Sequence, residues 1–217
     1  MNFLRWLRPS DPSEQREQVK LMSAPAPTYG PSTIDDYDAL GEDDWVHHEL
    51  IDGHIIVCAS PTNLHNRVVF MLWAALEAVL PAGFVVVGDV DVAMADKRQC
   101  PRPDLIVVPR EVGEGRVRTQ SDDVRLAVEV LSPGTARIDR QNKPRIYAAA
   151  GIPSYWLVDL EPFTIVEHRV TGRWYQEVQR VTGDQISVTE PFDLMIDVSE
   201  ARAATVRAES TRSRNRR

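Results

Sequence analysis

The chain has only two cysteines, Cys58 and Cys100, in 217 residues. Their spacing fits neither a disulfide framework nor a metal-binding module, so two buried, reduced thiols are expected. Long apolar runs are also missing. No stretch approaches the roughly 20 residues that a bilayer span requires. The apolar start Phe3, Leu4, Trp6, Leu7 is broken by Arg5 and Arg8 before Pro9, too short for a signal-peptide core. These absences imply a soluble, cytoplasmic protein with no membrane contact. A positive balance is lacking too: 25 Lys and Arg against 32 Asp and Glu give a formal charge of -7. A generally basic nucleic-acid coat is therefore excluded. Local potential is another matter, since a cleft that carries its own cation needs little positive charge from the rest of the chain.

What is present suffices for one domain. With 43% hydrophobic residues the chain buries a substantial core. Residues 1–31 are rich in proline, serine and charge and read as a flexible arm. Residues 32–200 carry the periodic patterns of a single domain. Residues 201–217, with six arginines and one glutamate, read as a basic, disordered tail.

Within the domain, Ser32, Thr33, Asp35 and Asp36 supply capping chemistry for a short helix through Tyr37 and Leu40. WVHHELIDGHIIVCA follows, two strand-like runs joined at Asp52-Gly53, the pair suited to a tight type I′ turn. From Asn63 to Leu80 the residues Leu64, Val68, Met71, Leu72, Ala75, Leu76 and Val79 recur at helical spacing. Phe84 to Met94 reads as one strand with a wet face marked by Asp89 and Asp91. LIVV after Pro103-Asp104 and LAVEVL from Leu126 are strands, separated by a charged loop, EVGEGRVRTQSDD. A helix is expected between Asp139 and Ala150, stopped by Gly151 and Pro153; Pro144 demands either a start near Gln141 to Lys143 or a kink. SYWLVDL, TIVEHRV, RWYQEVQRV and QISVTEP complete a run of strands.

Two acids stand out in these apolar strands, Asp104 at the mouth of one and Glu129 inside another. An ionised carboxylate out of water is costly unless it is paired, protonated or bound to metal. Side by side, the two would suit Mg²⁺, which takes hard oxygen ligands and completes its shell with water and substrate phosphate. The backbone carbonyl of Val130 would add a third oxygen. Lys143, on the following helix, would offset negative charge developing on a phosphate. Tyr147 lies one turn further on the same face, Asp139 one turn before Lys143 as a helix cap or site residue, and His65 near the start of the first long helix. Taken alone, Glu129 could instead pair with Arg102 or Arg145.

The ordered set Pro103-Asp104, Glu129-Val130-Leu131 resembles the PD-(D/E)XK nuclease superfamily. HELIDGHIIV, the helix containing His65, RPDLIVV, LAVEVLSPGTARIDRQNK and YAAAGIPSYWLVD are similar to the Uma-two family of restriction-type endonucleases, over roughly residues 33 to 198. The resemblance implies an α/β (α+β) restriction-endonuclease-like fold, a central mixed β-sheet flanked by helices with an N-terminal β-hairpin. It implies Asp104, Glu129, Lys143 and Glu49 as catalytic residues, with Asp104, Glu129 and the Val130 carbonyl on Mg²⁺, for which Mn²⁺ would substitute. His65, Tyr147 and Asp139 would support them. Leu131 stands where the superfamily usually has its lysine, which the family relocates to the helix, here as Lys143. DNA is the implied substrate, and a homodimer would serve the cutting of two strands.

Two other readings are set against this one. A catalytically silent nuclease-fold protein that binds DNA or another protein fits the acidic balance and the lack of a DNA-reading motif. A histidine and cysteine metal site from His47, His48, His54, Cys58 and His65 fits poorly, because alternation sends His47 and His48 to opposite faces. Ser132 and Gly134 lack the glycines and lysine of a phosphate loop.

Overall fold

The apolar runs that carry the two acids become neighbouring strands inside a six-stranded sheet. A computed structural model describes residues 31–41, 47–58, 60–114, 118–132, 136–189 and 192–215; the expected N-terminal arm lies almost wholly outside them. Helix α1 is Ile34–Asp38, and the hairpin is β1, His48–Ile51, with β2, His54–Val57. Helix α2 is Asn63–Glu77, followed by β3, Phe84–Gly88, β4, Val92–Ala93, and β5, Leu105–Pro109. Then come α3, Arg110–Gly113, β6, Thr119–Gln120, a 3-10 turn at Ser121–Asp123, and β7, Leu126–Val130. Helix α4, Ala136–Ala149, leads to β8, Ser154–Leu160, β9, Phe163–Thr171, and β10, Trp174–Val181. A second hairpin, β11, Gln185–Val188, and β12, Leu194–Asp197, precedes α5, Ser199–Asn215.

The large sheet has the order β10-β9-β8-β7-β5-β3. All its pairings are antiparallel except β7 with β8. A parallel neighbour cannot be reached by a tight turn and needs a crossover of a dozen or more residues. Helix α4 is that crossover, which lays it across one face of the sheet. There Ile146 and Tyr147 pack with Ile106, Ala127 and Tyr155. Helix α2 covers the opposite face, where Val68, Leu72 and Leu76 meet Val107, Val128 and Trp156. The architecture is the mixed α/β sheet flanked by helices that the sequence led us to expect.

Local chemistry explains several elements. Asp52 and Gly53 take φ of 51° and 74°, the left-handed pair a type I′ turn requires. Thr62 caps α2 by accepting the His65 backbone N–H at 3.2 Å. Thr33 and Asp36 form the reciprocal capping box of α1, and Tyr37 of that helix donates its hydroxyl to the His48 carbonyl at 2.8 Å, anchoring the hairpin.

Four expectations need correction. The run from Phe84 to Met94 is two strands, because Asp89 adopts φ of 53° and redirects the chain, and β4 pairs with β6 in a separate small sheet. The charged stretch after β5 is structured where described, as α3, β6 and the 3-10 turn. Of the two alternatives for Pro144 the late start is excluded: helix α4 starts at Ala136, so Pro144 lies in its interior. The cost of about 3 kcal/mol for such a proline is opposed by burial of Ile146, Tyr147 and Ala148. Finally, the domain does not end at residue 200. The supposed tail begins as α5, which packs on α2 and buries Ala201, Ala204 and Thr205; small side chains allow that approach, and hydrophobicity alone does not reveal it. No described helix is long and apolar enough to cross a membrane.

Leu72 is 1% exposed at the centre of the α2 face. Leu72→Ala is expected to lower stability by about 2–5 kcal/mol, read as a shift in the urea midpoint with an unchanged slope.

Candidate active site

The ladder between β5 and β7 ends at the pair Leu105 and Val128. One further step would set Asp104 opposite Glu129. Pro103 has no N–H with which to continue the ladder, and the strands part instead. Asp104 Oδ2 then accepts the Val130 backbone N–H at 2.7 Å, and the Asp104 carbonyl accepts from the Asp89 N–H at 3.2 Å. His65 Nε2, delivered by the first turn of α2, stands 3.3 Å from Asp104 Oδ2. The carboxylate of Asp104 thus leans toward α2 while Glu129 faces α4. Both line one cleft of about 650 Å³, together with Glu49, Asp139, Lys143 and His65.

Glu129 is 2% exposed on β7. Its carboxylate accepts from Lys143 Nζ at 3.0 Å and from the Tyr147 hydroxyl at 2.7 Å. Both donors come from α4, one turn apart. Glu49 arrives from the hairpin, which docks through reciprocal backbone bonds between Leu50 and Cys100 at 3.2 and 2.7 Å. Glu49 Oε1 accepts the Arg102 backbone N–H at 2.7 Å and lies 2.9 Å from Lys143 Nζ. Asp139 Oδ1 is 3.3 Å from the same ammonium. Arg145 adds an outer clasp, donating to both oxygens of Asp52 at 2.8 and 2.6 Å. The hairpin is thereby tied to α4 twice, once in the interior and once at the surface.

Three buried carboxylates therefore surround one buried ammonium. If all were ionised, the group would carry a net charge of about -2, an unfavourable state out of water. Burial raises the Glu129 pKa well above the ordinary carboxylate value; the Lys143 charge opposes this, and the charges of Asp139, Asp104 and Glu49 add to it. Lys143 remains an ammonium: burial lowers its pKa, but Glu129, Glu49 and Asp139 outweigh that and carry it well above the usual value. The Tyr147 hydroxyl is raised by burial and by Glu129, so it stays a donor. His65 is likewise lowered by burial, but its contact with Asp104 and a hydrogen bond to the Val130 backbone raise it overall.

All the candidate residues are thus brought to one cleft or its immediate support. Glu129 pairs with Lys143 rather than with Arg102 or Arg145. Arg102 instead binds Asp91 at 3.0 Å and His47 at 2.8 Å. Asp139 is not a helix cap, since α4 begins three residues earlier. The donor set is hard and acidic, the kind Mg²⁺ takes with few protein ligands, and the Val130 backbone lies beside Asp104. Among the described residues no three or more His, Cys, Asp or Glu side chains are grouped to hold a metal ion, so any such site would draw on two carboxylates and backbone oxygen. Burial raises both thiols to about 12, with Glu49 contributing at Cys58 and Asp91 at Cys100; neither is a ready thiolate ligand.

The sequence reading missed the cleft's apolar wall, where Val69, Phe70 and Trp73 of α2 face the acids. A signal was available. Phe70 and Trp73 lie off the helical stripe that Val68, Leu72 and Leu76 bury.

Comparison with known proteins adds three findings. Residues 34–199 match the model of the Uma2 family, described as "putative restriction endonuclease". A crystal structure of "a putative nuclease belonging to DUF820" from Anabaena variabilis ATCC 29413 superposes with a TM-score of 0.63 at 17% identity, covering 81% of this chain and 99% of that one. At that identity the likeness is one of fold. No curated protein matches the chain.

The raised Glu129 pKa has a thermodynamic consequence. A carboxyl held above its unfolded value stabilises the fold below about 4.5, the ordinary value, and that stability is lost as pH rises through the folded pKa. In chelator, Glu129→Gln is expected to flatten the decline in urea midpoint as pH rises above about 4.5.

Proposed function

Because this chain belongs to the Uma2 family, we propose that it is a Mg²⁺-dependent endonuclease that hydrolyses phosphodiester bonds of DNA. The observation that carries this reading is the opening of β5 from β7, which leaves Asp104 and Glu129 at the head of one cleft with a buried Lys143 between the sheet and α4. Asp104, Glu129 and the Val130 carbonyl would hold the ion, and Mn²⁺ would substitute. When bound, it supplies Lewis acidity toward a phosphoryl oxygen.

The protein's own groups would do the rest. Lys143 offsets charge that develops on the phosphate, and Glu49 and Asp139 hold its ammonium in place. Tyr147 fixes the Glu129 carboxylate by donating to one of its oxygens. His65 steadies Asp104 from the other side of the cleft. Two copies of the chain would present two such sites to two strands, the assembly expected of a symmetric dimer.

One observation favours a second reading, a catalytically silent nuclease-fold module that binds DNA or another protein. An ammonium has three hydrogens to donate, and Lys143 already has Glu49, Glu129 and Asp139 within 3.3 Å. A phosphate would have to compete with them.

Plasmid cleavage separates the two. For the nuclease, Asp104→Ala or added chelator is expected to lower the rate by at least about 100-fold, with Lys143→Ala similarly impaired. Cutting that is indifferent to Asp104→Ala would refute the assignment; DNA binding that persists in chelator and is unchanged by Glu129→Gln, with no cutting, would support the silent module.

A further inference from the structure

The outer face of α2 carries two aromatic rings that the core does not use. Phe70 is 72% exposed and Trp73 40%, three residues apart and so on one side of the helix. The Trp73 ring is held: its Nε1–H donates to the Val86 carbonyl at 3.1 Å, and the Val86 N–H donates to Glu77 at 2.6 Å. Both rings line the cleft that contains Asp104, Glu129 and Lys143. Between Asn63 and Ala74 the helix has no carboxylate, and its exposed face includes Asn66 and Arg67. Trp73 is eight residues from His65, about 12 Å along the axis, a span of a few nucleotides of one strand.

An exposed aromatic pair beside a cleft marks a binding surface. A second copy of the chain is a poor occupant, because two aromatic side chains offer at most about 500 Å² against the roughly 800 Å² per partner of a stable interface. The lack of carboxylates on this stretch of the helix and the neighbouring Arg67 fit a polyanion with flat apolar faces, whose phosphate would reach the acids of the cleft through a bound cation. In a duplex those faces are hidden by stacking; in an unpaired strand they are available. Resting on the nuclease reading, we propose that Phe70 and Trp73 form a stacking platform for an unpaired base of the strand whose phosphate lies at Asp104 and Glu129. The substrate is then single-stranded or locally unpaired DNA.

The test is binding of the full chain, with Ca²⁺ in place of Mg²⁺ so that the carboxylates still carry a hard cation, to a fluorescein-labelled single strand and to the same sequence as a duplex, read by anisotropy. Phe70→Ala is expected to weaken single-strand binding about 5- to 150-fold, the range for loss of one base-aromatic stack, while duplex binding changes by less than about twofold. Phe70→Trp should retain affinity. Phe70→Leu, which keeps apolar area without a π-face, should fall with Phe70→Ala. Equal losses on both DNAs, Phe70→Leu binding like the unmodified protein, or a dimer in sedimentation that Phe70→Ala dissociates would each overturn the platform. The Asp104 cleavage assay reads independently: full cutting with Phe70→Ala binding unaffected removes the platform alone, and Phe70-dependent binding without cutting removes the hydrolytic reading alone.

Discussion

The Lys143 ammonium is the point on which the site depends. Glu49 from the hairpin, Glu129 from the central sheet and Asp139 from α4 all approach within 3.3 Å of it, so one cation joins three elements that share no local sequence. Removing it would leave buried carboxylates with no counter-charge, which costs several kcal/mol even where the intact pair adds little net stability. Such a cluster is therefore better understood as fixing geometry than as supplying stability. The apolar packing on both faces of the sheet supplies that, with Val128 and Trp156 under α2 and Tyr155 under α4.

The topology explains why this cation is where it is. A parallel β7 and β8 force a crossover, and the crossover must cover the sheet. Lys143 and Tyr147, one turn apart on the buried side of α4, then fall over Glu129. The strand has no lysine beside Glu129, Leu131 following Val130 there, but the helix reaches the carboxylate with Lys143. Glu129 needs such partners: burial permits it to be protonated, paired or bound to a cation, and no other state.

Much of this was legible in the chain. Asp104 and Glu129 stand out because acids in apolar strands are rare without a purpose, and Asp52-Gly53 announces its turn through backbone chemistry. What was not legible is non-local. Glu49 looks like an ordinary hairpin residue until Leu50 pairs with Cys100 and turns it inward. Asp139 resembles a cap because an acid in a first turn is ordinary capping chemistry, yet Thr135, also a residue type suited to an N-cap, stands directly before the true start of α4 at Ala136. Asp89 breaks an alternating pattern by adopting a left-handed backbone that a strand template cannot anticipate. The start of α5 reads as tail because residues 201–217 carry six arginines, while its buried contacts are made by the small side chains Ala201, Ala204 and Thr205.

The crossover also bears on timing. Glu49 precedes β8 by more than a hundred residues, and β7 cannot complete its parallel pairing until α4 and β8 have been made. Non-local pairings must meet their loop-closure entropy before any contact rewards them. A chain still emerging from the ribosome therefore carries its acids apart and its lysine unplaced. Synthesis keeps the cleft incomplete until most of the sheet exists, so whatever chemistry the cleft performs begins only with a nearly finished molecule.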